Sequence, residues 1–349
     1  MALAENARPH RVGPVDVLAD DRDQDIPVAC VHLITCSGGG EPSQGSAGYN
    51  AVVSPTTAPI DPSIATLLGR VWPRVPGAAA RAGALGFPWA AASTAFVRRE
   101  GERVVGHVGV IELPLVLAGR AVRVGSIHAV CTDPERRGRG LGAALMEDAL
   151  GACERRYETI VLTTEIPDFY VRFGFRSVRE HAFARALPMR SRRPPPGSRP
   201  LAETPDDVGR LRRLLAVRAP VSERLGSLEA GTVFVVALLL TWGDLSRVHY
   251  HPALDMVTVH EVRDRTLVLY DVVGASIPAL ETIVAAIGAD ADRIVTFFSP
   301  DRLGGGFDAL PWDKARAASH GDAWFAGLMV RGPLPSEGET LMLPPLSRT

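Results

Sequence analysis

Residues 126–178 constrain this chain more than any other stretch: SIHAVCTDPERRGRGLGAALMEDALGACERRYETIVLTTEIPDFYVRFGFRSV. A Val- and Ile-bearing segment ends at Thr132, and Asp133-Pro134 turns the chain. Arg137-Gly138-Arg139-Gly140-Leu141-Gly142 then leads into a segment where Leu141, Leu145, Ala149 and Ala152 recur at helical spacing. Glycines let the backbone turn its N–H groups outward and let a ligand come close. The helix behind them adds unpaired N–H groups and the positive end of its dipole. Arg136, Arg137 and Arg139 raise the local positive potential. Together these make a cradle for a pyrophosphate. A Gly-rich loop alone would be only a tight strand-to-helix turn. Here a second apolar strand, residues 159–163, follows the helix, and Phe169-Tyr170-Val171-Arg172-Phe173-Gly174-Phe175 comes after it.

The rest of the chain frames this unit. Its 349 residues exceed one average domain and suggest two. With 46% hydrophobic residues and 22% charged, it has the composition of a globular protein with a proper core. A formal net charge of −1 gives no global argument for nucleic acid or an anionic membrane as partner. Cys30, Cys36, Cys131 and Cys153 form no CxxC pair and no metal spacing, so they read as reduced apolar residues of a cytoplasmic protein. No signal peptide is evident, and the most apolar run, residues 233–240, is too short to span a membrane.

Residues 1–26 are polar and read as a flexible tail, residues 28–35 as a strand, and residues 37–59 as a long loop. Asp61-Pro62 starts a helix over residues 63–71, and residues 78–85 suggest another. Residues 93–99, 103–117 and 121–132 form an antiparallel meander. Residues 175–185 read as one further strand. The basic, proline-rich piece RSRRPPPGSRP is the best interdomain linker, giving units 27–189, 190–200 and 201–349. In the second half, residues 206–217 and 278–287 read as helices. Residues 232–240, 255–262, 266–273, 293–298, 328–331 and 340–343 read as strands. Asp301-Arg302 with Gly304–Gly306 reads as a plain loop. His249 and His251 alternate as a metal pair would, but no third ligand has supporting spacing.

Residues 93–186 resemble the GNAT superfamily of N-acyltransferases. Arg137, Gly140 and Gly142 match its acyl-CoA signature Arg/Gln-x-x-Gly-x-Gly/Ala, with Gly138 as an extra. Thr132-Asp133-Pro134 resembles the end of the family's fourth strand. Phe169-Tyr170 through Gly174-Phe175 is similar to its later F-Y-x-x-x-G-F signature. The resemblance implies an α/β fold, the GNAT fold with a mixed, splayed central sheet, followed by a second α/β domain that could be a degenerate GNAT. It implies two parallel strands that part near Thr132 and Thr163. Pantetheine would bond the backbone of Val130, Cys131 and Thr132. The pyrophosphate would sit on the N–H groups of Gly138, Arg139, Gly140, Leu141, Gly142 and Ala143, with Arg137 beside them. The implied cosubstrate is acetyl-CoA or another acyl-CoA, with no metal, and the acceptor is a primary amine.

Amine acylation needs a neutral amine, a held oxyanion and a proton for the leaving thiolate. Tyr170 stands where the resemblance places the general acid; the plainer alternative is packing beside Phe169 and Phe173. His128 and Glu165 are candidate bases. His128 alternates with Ser126, Val130 and Thr132 on one strand face, and its intrinsic pKa suits proton transfer near neutrality. It could equally be a core histidine, and Glu165 a helix cap. The tandem layout resembles the Eis class of GNAT enzymes, whose C-terminus reaches the active site, so a terminal carboxylate at Thr349 is a further candidate. The second half has no equivalent of Arg137–Gly142 and is expected to shape the acceptor pocket or an oligomer interface such as a homodimer's. Two other readings stay open: an acyltransferase on carrier-protein or aminoacyl-linked substrates in natural-product synthesis, and a non-catalytic acyl-CoA sensor.

Overall fold

Local chemistry sets the helix starts. Asp61 Oδ1 accepts from Ser63 N at 2.7 Å and Ile64 N at 3.3 Å, with Pro62 at the first helical position. Thr204 accepts from Asp207 N in the same way. A computed structural model describes residues 50–53, 59–188, 195–311, 327–335 and 337–349. The expected tail 1–26 and strand 28–35 lie outside these residues.

The chain runs β1 (Asn50–Val53), α1 (Pro62–Val71), α2 (Val75–Ala84) and α3 (Trp89–Ala92). The meander β2 (Ser93–Glu100), β3 (Arg103–Leu117) and β4 (Arg120–Thr132) follows, then α4 (Leu141–Cys153), β5 (Ile160–Thr164), α5 (Pro167–Val171), β6 (Arg176–Ser177) and β7 (His181–Ala186). Next come β8 (Arg199–Pro200), α6 (Pro205–Ala216), β9 (Leu225–Ser227), α7 (Gly231–Thr241), β10 (Val248–His251), β11 (Met256–Arg263) and β12 (Thr266–Val273). The last elements are α8 (Leu280–Ile287), β13 (Arg293–Thr296), β14 (Asp308–Pro311) and β15 (Gly327–Arg331).

The architecture is α/β with two mixed sheets. One has the order β1-β2-β3-β4-β5-β15-β6, with β9 added beside β3; the other is β14-β7-β13-β12-β11-β10-β8. Each holds one parallel pair, β4–β5 and β12–β13. The sheets trade strands across the proline-rich segment. β15, from late in the chain, pairs with β5 in the first sheet, and β7 pairs with β13 in the second. The halves also share a core: Ala78, Ala82 and Phe87 pack in one cluster with Phe234 and Leu238 of α7 and with Val257 of β11.

Several elements differ from the sequence expectation. Residues 232–240 are not a strand but most of helix α7. The run is apolar on every side and its residues 233–239 are all buried, so no polar stripe marks a period of 3.6. Residues 50–53 are not loop but pair with Ala95–Arg98 of β2. The single strand expected over 175–185 is two, β6 and β7, because the chain leaves one sheet and enters the other between them. Residues 340–343 contribute only an isolated bridge, Glu180 to Leu341. Among the described residues, no helix is long and apolar enough to cross a membrane.

His249, half-buried, and His251, buried, belong to a histidine group of the second sheet. His251 Nε2 and His260 Nδ1 each lie 2.8 Å from Thr258 Oγ1, and the rings of His249 and His260 are 4.3 Å apart. Burial, aided by the neighbouring His249, pushes His251 down to about 4 and His260 down to about 3 from an ordinary 6.5. The unfolded chain therefore takes up these protons first. Their contribution to stability is full above about pH 6.5 and declines as pH falls toward 4. We expect Tm to fall between pH 7 and pH 5, and the fall to be shallower in His260→Asn. Equal slopes in thermal melts would remove this group as the cause.

Candidate active site

The loop between β4 and α4 is built as an open cradle. Asp133 accepts from Glu135 N at 3.0 Å, and its buried carboxylate pairs with Arg70 at 2.7 Å and Arg103 at 2.5 Å. Burial pushes its pKa up, but the Glu135 N–H and then Arg103 and Arg70 outweigh this and hold it below its ordinary value. The turn is thus fixed and neutralised. Gly138 and Gly140 then take φ of +76° and +74°, and a Cβ on either would meet open space. Gly140 is the N-cap of α4 and brings no side-chain acceptor, and no acidic residue stands in the first turn. The first N–H groups of α4, on Leu141, Gly142 and Ala143, have no side-chain cap, as is also true of α2, α7 and α8; α4 differs in having Gly138 and Gly140 at positive φ before it. Gly142 is close-packed: a Cβ there would lie 3.3 Å from Thr132 Oγ1.

The arginines divide. Arg136 is bound to Glu100 at 2.8 Å. Arg139 is exposed. Arg137 keeps a buried Nε with no hydrogen-bond partner among the described residues. The same holds for the Nε of other arginines, Arg218 among them, so this feature does not single out Arg137.

β4 and β5 part beside this loop. Their parallel pairing runs from Gly125 with Ile160 to Ile127 with Leu162 and stops there. Cys131 and Thr132 still pair with β3. Ala129, at φ +49°, makes a bulge in which Ala129 and Val130 face Val108 alone. The bulge breaks the alternation expected for residues 126–132. Ser126 and His128 share one face, whereas Val130 packs with Ile127 in the α4 cluster. Cys131 is buried and its thiol is pushed up to about 12 by burial, so it behaves as a small apolar residue.

Tyr170 is 6% exposed and stands on α5, edge-on to Phe169 at 4.9 Å. Its hydroxyl hydrogen-bonds Thr164, and burial pushes its pKa well up from 10, so the phenol keeps its proton. Thr164 Oγ1 also accepts from Ile166 N at 3.1 Å, which fixes the start of α5. Glu165 follows β5 and is exposed.

His128 is 4% exposed. Its Nε2 lies 2.8 Å from Ser93 Oγ, its ring is edge-on to Trp89 at 4.9 Å, and its Nδ1 has no partner among the described residues. Burial, reinforced by His107, drives its pKa well below 6.5, so the imidazole is neutral. Gly109 makes room for it, since a Cβ at 109 would collide with the His128 ring. We expect Gly109→Ala to lower stability by about 1–3 kcal/mol, the usual size of overpacking. Chemical denaturation should show the loss largely relieved in Gly109→Ala/His128→Ala; simple additivity would mean that the two do not press on each other.

The residue that bridges the parting strands is Thr349. Thr163 Oγ1 donates to its main-chain oxygen at 2.6 Å, and its Oγ1 lies 2.5 Å from Ser126 Oγ. The structure thus places Thr349 between Ser126 of β4 and Thr163 of β5 and Tyr170 against Thr164 at the end of β5, whereas His128 turns across β3 to Ser93 of β2. Thr163 and Thr164, which sequence reading did not single out, hold Thr349 and the start of α5, and Ser93 holds the His128 ring. Only their positions near strand ends could have signalled them. Among the described residues, no group of three or more His, Cys, Asp or Glu side chains could hold a metal ion.

A parallel strand pair that stops short thus lies beside a glycine-opened helix N-terminus in an α/β fold. Residues 62–178 match the family model described as Acetyltransferase (GNAT) domain, a span that includes the loop, the parting strands and Tyr170. No curated protein matches the sequence. Similar solved structures include a GCN5-related N-acetyltransferase from Kribbella flavida, with 17% identity over 82% of this chain and 71% of that one, TM-score 0.49. A probable N-acyltransferase from Enterococcus faecalis V583 has 14% identity over 78% and 70%, TM-score 0.48. Eis1 from Mycobacterium abscessus has 15% identity over 68% and 64%, TM-score 0.45.

Proposed function

We propose that this chain is an acyl-CoA-dependent N-acyltransferase that moves an acetyl or other short acyl group to a primary amine by direct attack. The observation that carries this reading is the uncapped N-terminus of α4, opened by Gly138 and Gly140, set against the end of β4–β5 pairing. The residues present fit the cosubstrate. N–H groups of residues 138–143 suit a diphosphate, with Arg137 beside them. The main chain of residues 130–132, without a β5 neighbour, suits the pantetheine amides. Bound there, acyl-CoA supplies the thioester that the amine attacks.

In this reading Tyr170 hydrogen-bonds the sulfur and gives it a proton as it leaves. Its burial keeps that proton in place until charge develops. His128 acts as a neutral hydrogen-bonding group, because its charged form is disfavoured where it stands. Glu165, which follows β5, is the acceptor for the amine's proton.

The second half, in this reading, is a degenerate GNAT unit that walls the acceptor side. In favour of it, β11-β12-β13 repeat the pattern of β3-β4-β5, an antiparallel pair with a bulge and then a parallel pair with a helix between. Its own gap is filled by the chain. Ala219 N donates to Gly274 O at 2.7 Å, and Ser222 Oγ donates to Asp301 at 2.6 Å. That fits the lack of any Gly/Arg loop there.

The test is acetyl-CoA with a broad panel of primary amines, following thiol release. Release that depends on an amine supports the reading. Acyl-CoA binding with no amine-dependent release across the panel overturns it in favour of a sensor.

A further inference from the structure

Glu180 lies where the chain crosses from β6 in one sheet to β7 in the other, and its carboxylate is nearly fully buried. Oε1 accepts from Leu343 N at 3.0 Å and Arg348 Nη2 at 2.5 Å. Oε2 accepts from Leu328 N at 3.3 Å and Arg348 Nη1 at 3.1 Å. The guanidinium meets the carboxylate as a two-pronged fork, and Arg348 Nη2 also donates to Leu343 O at 2.9 Å. One carboxylate therefore ties the crossover, the exchanged strand β15 and the segment 343–348 together.

The next residue is Thr349, which bridges Ser126 of β4 and Thr163 of β5. Leu346 and Ser347 beside the pair are buried, so the segment has little room to shift on its own. An Arg–carboxylate fork fixes direction as well as distance, which a single-point contact would not. The fork thus sets the angle at which the chain enters the gap.

We propose that Glu180 and Arg348 are positioning residues that hold Thr349 between the parting strands, and that turnover depends on this placement. The inference rests on the acyltransferase reading for its effect on turnover, but not for the placement itself. Neither residue touches the reacting atoms; each acts through Thr349.

Two measurements test it. First, Ser126→Cys/Thr349→Cys should oxidise to a 126–349 disulfide, identified by peptide mass mapping, because the two native hydroxyls are adjacent. Adding Glu180→Gln should slow its formation by about tenfold or more. Second, Glu180→Gln in the otherwise native chain should lower kcat by about 10²-fold, the scale of a misplaced active-site group. KM for acetyl-CoA and the acetyl-CoA-induced Tm rise should hardly change, which a general loss of structure would not produce. If Glu180→Gln does not fold, Arg348→Lys, which keeps the charge but loses the fork, is read by the same measurements. An unchanged disulfide rate overturns the placement, and a slower disulfide with unchanged kcat overturns the dependence of turnover on it. If the native chain shows no amine-dependent thiol release, the acyltransferase reading fails and the disulfide arm still decides the placement.

Discussion

Tyr170→Phe is expected to lower amine-dependent thiol release by about 10²–10⁴-fold, the usual contribution of a positioned general acid. The substitution removes one oxygen and leaves the ring packed against Phe169 and Phe175. Thr164 keeps its bond from Ile166 N, so α5 should hold its place. The Tm rise on adding acetyl-CoA should therefore survive. Steady-state kinetics with a good acceptor decide the matter: turnover within about twofold of the native chain would make Tyr170 a packing residue.

Gly140→Glu is expected to abolish the acetyl-CoA-dependent Tm rise. A ligand at about 100 times its Kd stabilises a native protein by about 2.7 kcal/mol, so the native shift should be readily seen. At φ +74° a residue with a Cβ is strained by about 1–2 kcal/mol. The new side chain would enter the open space of the cradle, and its charge would repel phosphate. Gly140→Ala carries the same strain without the charge and should keep part of the shift. If Gly140→Glu responds to acetyl-CoA as the native chain does, the loop is not the anion site.

What the sequence made legible follows from the range of the signals. The cradle could be read because glycines and arginines are compact marks on a strand-to-helix turn. β2, β3 and β4 could be read because their apolar residues and turns lie within a few positions of each other. The bulge at Ala129 could not, since alanine at φ +49° carries no mark of its own. Neither could α7, which lacks a polar face to reveal its period. The partners of β7 and β15 were hidden for a different reason. A short apolar strand looks the same whichever sheet it joins, and only the assembled fold decides between them. The gap's bracing by Thr349 depends on that same long-range assembly.

The strand exchange also bears on how the chain is made. β5 gains its outer neighbour β15 only from residues about 160 positions further on. At ribosomal rates of about 5–20 residues per second, that leaves β5 as a bare edge for about 10–30 s. During that interval β7 has likewise emerged without β13. Until β15 arrives, an exposed pair of strand edges invites a second nascent chain to dock where β15 belongs. A translational pause between synthesis of β5 and of β15 is therefore expected to raise the yield of aggregated or strand-swapped material.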